Sequence, residues 1–211
     1  MLSPKELSIR IRKFIEKDVY LDEKKGKHIE YALEVIIGYL YEVIVILILS
    51  AFLDIFWYTV FLMFSFSYIK TFSRGVHSSS YRRCFIISTV LMVGGGLFAK
   101  YLDGVLNQLY SFILLNVVFV YCLYLLYTKA PVDTPKNPIR NEARKKKMKL
   151  YSIYMLIVWY IVFLSILIFI PSFKGLVLAS AVGVFLQSLT LSNTGQKILY
   201  FLDDSLSSLG I

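Results

Sequence analysis

Apolar residues in this chain gather into runs long enough to cross a lipid bilayer, and this restricts the fold more than any other property. The runs occupy 31–50, 52–69, 85–99, 105–127, 150–170 and 175–192. Inside a bilayer the backbone must satisfy its own hydrogen bonds, so a spanning run of about 20 residues becomes an α-helix. Hydrophobic residues are 57% of the 211 and mean hydropathy is +0.66, too apolar for a water-soluble domain to cover with its polar surface. The sequence therefore predicts an all-α, polytopic helical membrane protein of about six transmembrane segments. The 85–99 run is short and holds Gly94, Gly95 and Gly96. That leaves a second arrangement open, four spans with two broken or re-entrant segments, because non-helical backbone is tolerated where it lines a protein cavity. Both arrangements place the two termini on one side.

Basic residues assign the sides. Eight Lys/Arg lie in 1–29, four in 70–83, eight in 128–149, and Lys197 follows; only Lys100 and Lys174 fall on the other face. The positive-inside rule puts both termini and the loops 70–84 and 128–149 in the cytoplasm. The net charge of +9 thus reads as topology, and no nucleic-acid partner is expected. The chain divides into a basic N-terminal segment at 1–29, an integral-membrane domain at 30–192 and a cytoplasmic tail at 193–211. No cleavable signal peptide is expected, since the first 29 residues are charged and lack an apolar core. Ser3, Pro4 and Glu6 fit a helix start with a capping box. Leu7, Ile11, Phe14 and Ile15 then recur at helical spacing among Arg10, Arg12, Lys13 and Lys17. Such a basic amphipathic helix suits an anionic lipid surface.

Chemistry concentrates in the first cytoplasmic loop. Residues 70–84 read Lys-Thr-Phe-Ser-Arg-Gly-Val-His-Ser-Ser-Ser-Tyr-Arg-Arg-Cys. A thiolate attacks carbonyls, and an imidazole can take its proton and return it to the leaving group. On a continuous helix His77 and Cys84 would stand about 10 Å apart along the axis, so a working pair needs a bend. Gly75 offers one, and Ser78, Ser79 and Ser80 offer N-caps for a helix carrying Cys84. Lys70, Arg74, Arg82 and Arg83 supply the electropositive surroundings of a reactive cysteine. By spacing alone the signal is weak, since a lone His and a lone Cys are more often structural. The second cysteine, Cys122, lies in an apolar run and reads as a small hydrophobe, so no disulfide is expected.

This segment resembles the signature of the accessory gene regulator B family, AgrB, membrane cysteine endopeptidases of Gram-positive quorum sensing. The family pattern is an arginine, then Gly-Gly, one residue, His, six residues and Cys. Here Lys70 replaces the arginine, Arg74-Gly75 stands for Gly-Gly, and the His77 to Cys84 spacing matches. The second loop, Lys129-Ala130-Pro131-Val132-Asp133-Thr134 followed by Pro138-Ile139 and a basic run, resembles the family as well. The resemblance implies a bacterial membrane enzyme that cleaves an AgrD-type pro-peptide. Cys84 would hold the peptide as a thioester, and His77 would act as base and then acid. A cysteine or serine of the peptide would close a thiolactone or lactone ring. It also implies self-association and no cofactor.

Other polar groups have two readings each. Glu34 and Glu42 lie inside the first apolar run, where carboxylates are costly and face a bundle interior or cavity. Glu34, nearer the cytoplasmic end, is the candidate to orient His77. Arg144, Lys145, Lys146 and Lys147 are a topology and lipid-surface determinant; with Lys129 they are also candidates to capture an acidic pro-peptide tail. No zinc or serine-hydrolase motif is present, and two distant histidines propose no metal site. A non-enzymatic peptide transporter or sensor subunit is the competing function. No inverted repeat supports it.

Overall fold

The computed structural model describes residues 4–17, 22–76, 78, 80–132, 139 and 141–210. Ser3, His77, Ser79 and 133–138, all used above, lie outside the described residues. Among the described residues there are eight α-helices and no strand. They are α1 Pro4–Ile15, α2 Glu23–Phe52, α3 Phe56–Ser73, α4 Tyr81–Val105, α5 Gln108–Lys129, α6 Glu142–Phe169, α7 Lys174–Leu191 and α8 Asn193–Ser208. A 3₁₀ turn, Pro171–Phe173, leads into α7.

Helices α2 to α7 coincide with the six apolar runs. Five of them, α2, α4, α5, α6 and α7 with its leading turn, are long and apolar enough to cross a membrane. The lipid-compatible helices carry large exposed apolar side chains, among them Phe112, Val120, Ile161 and Phe169. In water such surfaces would drive association; in hydrocarbon they are solvated. The protein is a multi-pass helical membrane protein.

The sixth helix, α3, is an 18-residue element whose polar side chains find protein partners. Tyr58 donates to Asp103 at 2.7 Å. Ser65 lies beside Ser180, and Trp159 Nε1–H donates to both hydroxyls, at 3.2 Å and 2.7 Å. Its lowered hydropathy is therefore the signature of a helix packed on protein, where interhelical hydrogen bonds hold helices together.

The broken or re-entrant reading of 85–99 is corrected. Helix α4 runs without interruption through Gly94, Gly95 and Gly96. Two of these glycines serve close packing. A Cβ at Gly95 would come within 2.7 Å of Leu62, and one at Gly96 within 2.5 Å of Thr59. Gly94 faces open space. A glycine costs a helix about 1 kcal/mol against alanine, and contacts with α3 repay this at two of the three sites.

The chain forms two compact units, Met1–Ile48 and Leu49–Ile211. In the first, Arg12 of α1 pairs with Glu16 and with Glu30 of α2, each at 3.0 Å. In the second, α7 is the central helix, buried along nearly its whole length and packed on α3, α5 and α4. At Gly183 it meets α3 so closely that a Cβ would stand 2.2 Å from Leu62 O. The core around it draws on Ile69, Leu115, Leu126, Leu156, Phe163 and Val184. Within 193–211, read from sequence as a tail, Asn193–Ser208 forms α8, which packs back on α7 and α4.

Candidate active site

Cys84 sits at the fourth residue of α4, within the helix's first turn. Ser80 holds the N-cap position in extended conformation, as its place before the apolar run suggested, yet its side chain makes no capping bond. Cys84 N–H donates to Ser80 O at 3.0 Å and so is not open to an oxyanion. The thiol is partly exposed, with Sγ 3.9 Å from Ser88 Oγ, and Ser88 itself donates back to Cys84 O at 2.8 Å.

The chain reverses just before this helix. Arg74 has φ 57° and Gly75 has φ 151°, both in the left-handed half of conformational space. Helix α7 receives the turn. Gln187 Nε2 donates to Ser73 Oγ at 3.0 Å and to Arg74 O at 2.6 Å. A Cβ at Gly75 would stand 2.4 Å from Thr190 Oγ1, so only glycine lets the loop lie this close. Gln187 and Thr190 escaped the sequence reading, since nothing near them in the chain marks them.

Cys84 opens into a cavity of about 110 Å³. Lys70 and Ser78 also line it, and its other walls are largely apolar: Phe66, Leu91, Leu186, Ile198 and Leu202 among them. Lys70 Nζ lies 5.1 Å from the centre of the Phe66 ring, a cation–π contact at the cavity wall. Ile198 and Leu202 come from α8. The amphipathic spacing of α8 was present in the sequence, but only packing shows that it closes this cavity.

A buried carboxylate ties the region together. Asp203 of α8 accepts a hydrogen bond from Ser78 Oγ–H and lies 3.3 Å from Arg83 Nε. The second contact is an ion pair without hydrogen-bond alignment. Arg82 is exposed, whereas Arg83 is held in this pair. Asp203 was missed in the sequence because the segment carrying it read as a tail.

A second, basic groove lies at the same end of the helices. Lys129, Lys145, Lys146 and Lys149 line it, with Glu142 and Gln196. Arg144 and Lys147 are not part of its lining. The run Arg144–Lys147 forms the first turns of α6, with Asn141 Oδ1 accepting from Arg144 N–H at 3.1 Å. Val132 N–H donates to Ser73 O at 3.1 Å, which joins this groove to the turn ahead of Cys84. Glu34 belongs to α2 in the first unit and Cys84 to the second. Among the described residues no cluster of three or more His, Cys, Asp or Glu could hold a metal.

Comparison with known proteins gives a consistent set of relatives. The family model described as AgrB, Accessory gene regulator B, matches residues 8–191. AgrB-like protein 2 of Clostridium perfringens (strain 13 / Type A) is 28% identical over 204 residues, covering 93% of this chain and 95% of that protein. Accessory gene regulator protein B of Staphylococcus carnosus (strain TM300) is 31% identical over 134 residues, 63% of this chain and 66% of the other. That of Staphylococcus aureus (strain JH9) is 25% identical over 178 residues, 84% and 88%. No solved structure matches.

Proposed function

The chain belongs to the AgrB family, and from that premise we propose that it is a membrane cysteine endopeptidase that processes an AgrD-type pro-peptide for quorum sensing. The supporting observation is the partly exposed Cys84, at the first turn of α4, on the wall of an apolar cavity.

His77 takes the Cys84 proton as sulfur attacks the scissile carbonyl. The tetrahedral intermediate collapses, the C–N bond breaks, and His77 returns the proton to the departing amine. The peptide remains as a thioester on Cys84. A cysteine or serine of the peptide then attacks that carbonyl, closing the ring and releasing the Cys84 thiol. Exchange of one thioester for another is nearly isoenergetic, so water has to be kept out for the ring to form. The apolar walls of the cavity suit that requirement.

The remaining parts have matching roles. Gly75 and Arg74 form the turn that carries His77, with Ser78 following it and Lys70 on the cavity wall. The groove of Lys129, Lys145, Lys146 and Lys149 is charged to take the acidic tail of the pro-peptide, and Arg144 and Lys147 add to its field. The basic α1 within segment 1–29 rests on anionic lipid, the peptidase domain spans 30–192, and 193–211 returns to the cytoplasmic side.

Intact mass spectrometry of the pro-peptide encoded beside this protein, incubated with reconstituted wild type, Cys84→Ala and His77→Ala, tests the reading. Wild type alone should release a C-terminal fragment and leave a core lighter by the loss that ring closure entails. A thioester adduct on wild type, absent from Cys84→Ala, identifies the nucleophile. Cleavage by Cys84→Ala at the wild-type rate would sink the proposal.

A further inference from the structure

Asp203 touches the two residues that lie just inside the proposed catalytic pair. Ser78, which donates to its Oδ1, directly follows His77. Arg83, 3.3 Å from the same oxygen, directly precedes Cys84. One oxygen on a third element thus holds the inner neighbours of the two residues. The site is enclosed: Asp203 is 6% exposed and the Arg83 side chain 15%. An ion pair shielded in this way is screened little by water and holds its geometry.

The helix that carries Asp203 is itself seated firmly. Ser192 Oγ caps its start, accepting from Gly195 N–H at 2.9 Å. Gln196 Nε2 donates to Leu191 O at 3.3 Å. A Cβ at Gly195 would collide with Leu189 O, so α8 leaves α7 through a turn too tight for another residue. The first carboxylate after that turn is Asp203, which its helix carries back to the start of α4. Asp203 also lies beyond residue 191, where the match to the family model ends.

We propose that Asp203 is a positioning residue, which sets the separation of His77 and Cys84 by holding Ser78 and Arg83 on one buried oxygen. This rests on the cysteine-peptidase reading and makes the C-terminal helix part of the active-site framework. Asp203 acts through Ser78 and Arg83, which it contacts. Its effect is on the fraction of time the imidazole and the thiol are within reach of each other.

The test uses the full chain in lipid nanodiscs with two readouts. The first is the rate of Cys84 alkylation by iodoacetamide at neutral pH, read by peptide mass spectrometry, with no pro-peptide present. The second is kcat and KM for pro-peptide cleavage. Misplacement by about 1 Å can cost about a hundredfold, so Asp203→Asn should lower kcat on that order with little change in KM. Ser78→Ala removes one hydrogen bond to a charged group while leaving the ion pair, and should lower kcat about tenfold. It also keeps the question answerable if Asp203→Asn does not fold. In a His77→Ala background, Asp203→Asn should slow alkylation no further, because the pair it positions is already gone. Asp203→Glu, which keeps the charge, should recover part of the loss.

Wild-type kcat in both Asp203→Asn and Ser78→Ala would overturn the proposal while leaving the peptidase reading intact. Multiplying losses in the double variant would assign Asp203 a structural role only and overturn it too. Wild type without Cys84-dependent cleavage removes both readings.

Discussion

At Gly75 a hydrogen in place of a methyl group decides whether the loop ahead of Cys84 can lie against α7. Two independent demands meet there. The backbone angle φ of 151° is one that residues with a Cβ rarely adopt, and a Cβ would stand 2.4 Å from Thr190 Oγ1. Gly75→Ala should therefore destabilise the protein by about 1–3 kcal/mol and slow Cys84 alkylation. Adding Thr190→Ala removes the collision and leaves the backbone strain, so it should restore less than half of the loss in detergent-based unfolding. Complete restoration would show that the contact alone matters. Sequence spacing singled out Gly75 as a bend before His77. Its partner Thr190 is on a helix over a hundred residues away, and no local pattern could have named it. Asp203 is a similar case. Asp203→Ala should cost about 1.5–3 kcal/mol, the range for a hydrogen bond to a charged group, since it removes the buried carboxylate that accepts from Ser78 and pairs with Arg83. Chemical unfolding of the variant against wild type measures this.

Among the helices, α4 tests whether a glycine cluster means a hinge or a packing surface. If Gly94–Gly96 were a break, substitutions at all three positions would act alike. The packing argument separates them. Gly94→Ala meets open space and gains helix propensity, so it should be neutral or stabilising by up to about 1 kcal/mol. Gly96→Ala drives a Cβ toward Thr59 and should cost about 1–3 kcal/mol. Equal effects at the two sites would restore the hinge. Helix α3 carries the complementary lesson. Its polar residues weakened its membrane signal, yet Ser65, with Ser180 and Trp159, forms a hydrogen-bonded junction of three helices. In lipid such bonds contribute about 0.6 kcal/mol on average, enough to orient helices whose apolar faces alone do not distinguish one rotation from another.

For the whole molecule, the charge distribution predicts an orientation. Twenty-one of the 23 Lys/Arg fall on one side of the expected topology. The two on the other side are held in ion pairs, Lys100 with Asp54 at 2.9 Å and Lys174 with Asp103 at 3.4 Å. A fluorescent protein fused after Ile211 should therefore be bright, as it folds only in the cytoplasm, and an alkaline phosphatase fusion at the same site should be inactive. The reverse pattern would put both termini and the Cys84 loop outside and would disqualify the proposed encounter with a cytoplasmic pro-peptide.

The sequence by itself determined the class of fold and the positions of six long helices. The reason is physical: a bilayer forces backbone satisfaction within each span, so length and hydropathy suffice to locate helices. The His-to-Cys spacing and the basic loops were likewise local properties. Tertiary structure alone decided that the glycine triplet packs, that α7 is the central helix of its unit, and that the apparent tail is a helix closing the Cys84 cavity. It alone brought Asp203 to Ser78 and Arg83. These depend on which faces meet across long chain separations. Side-chain volume, a missing Cβ and the pairing of an enclosed charge select those faces, and none of them leaves a periodic trace in the chain.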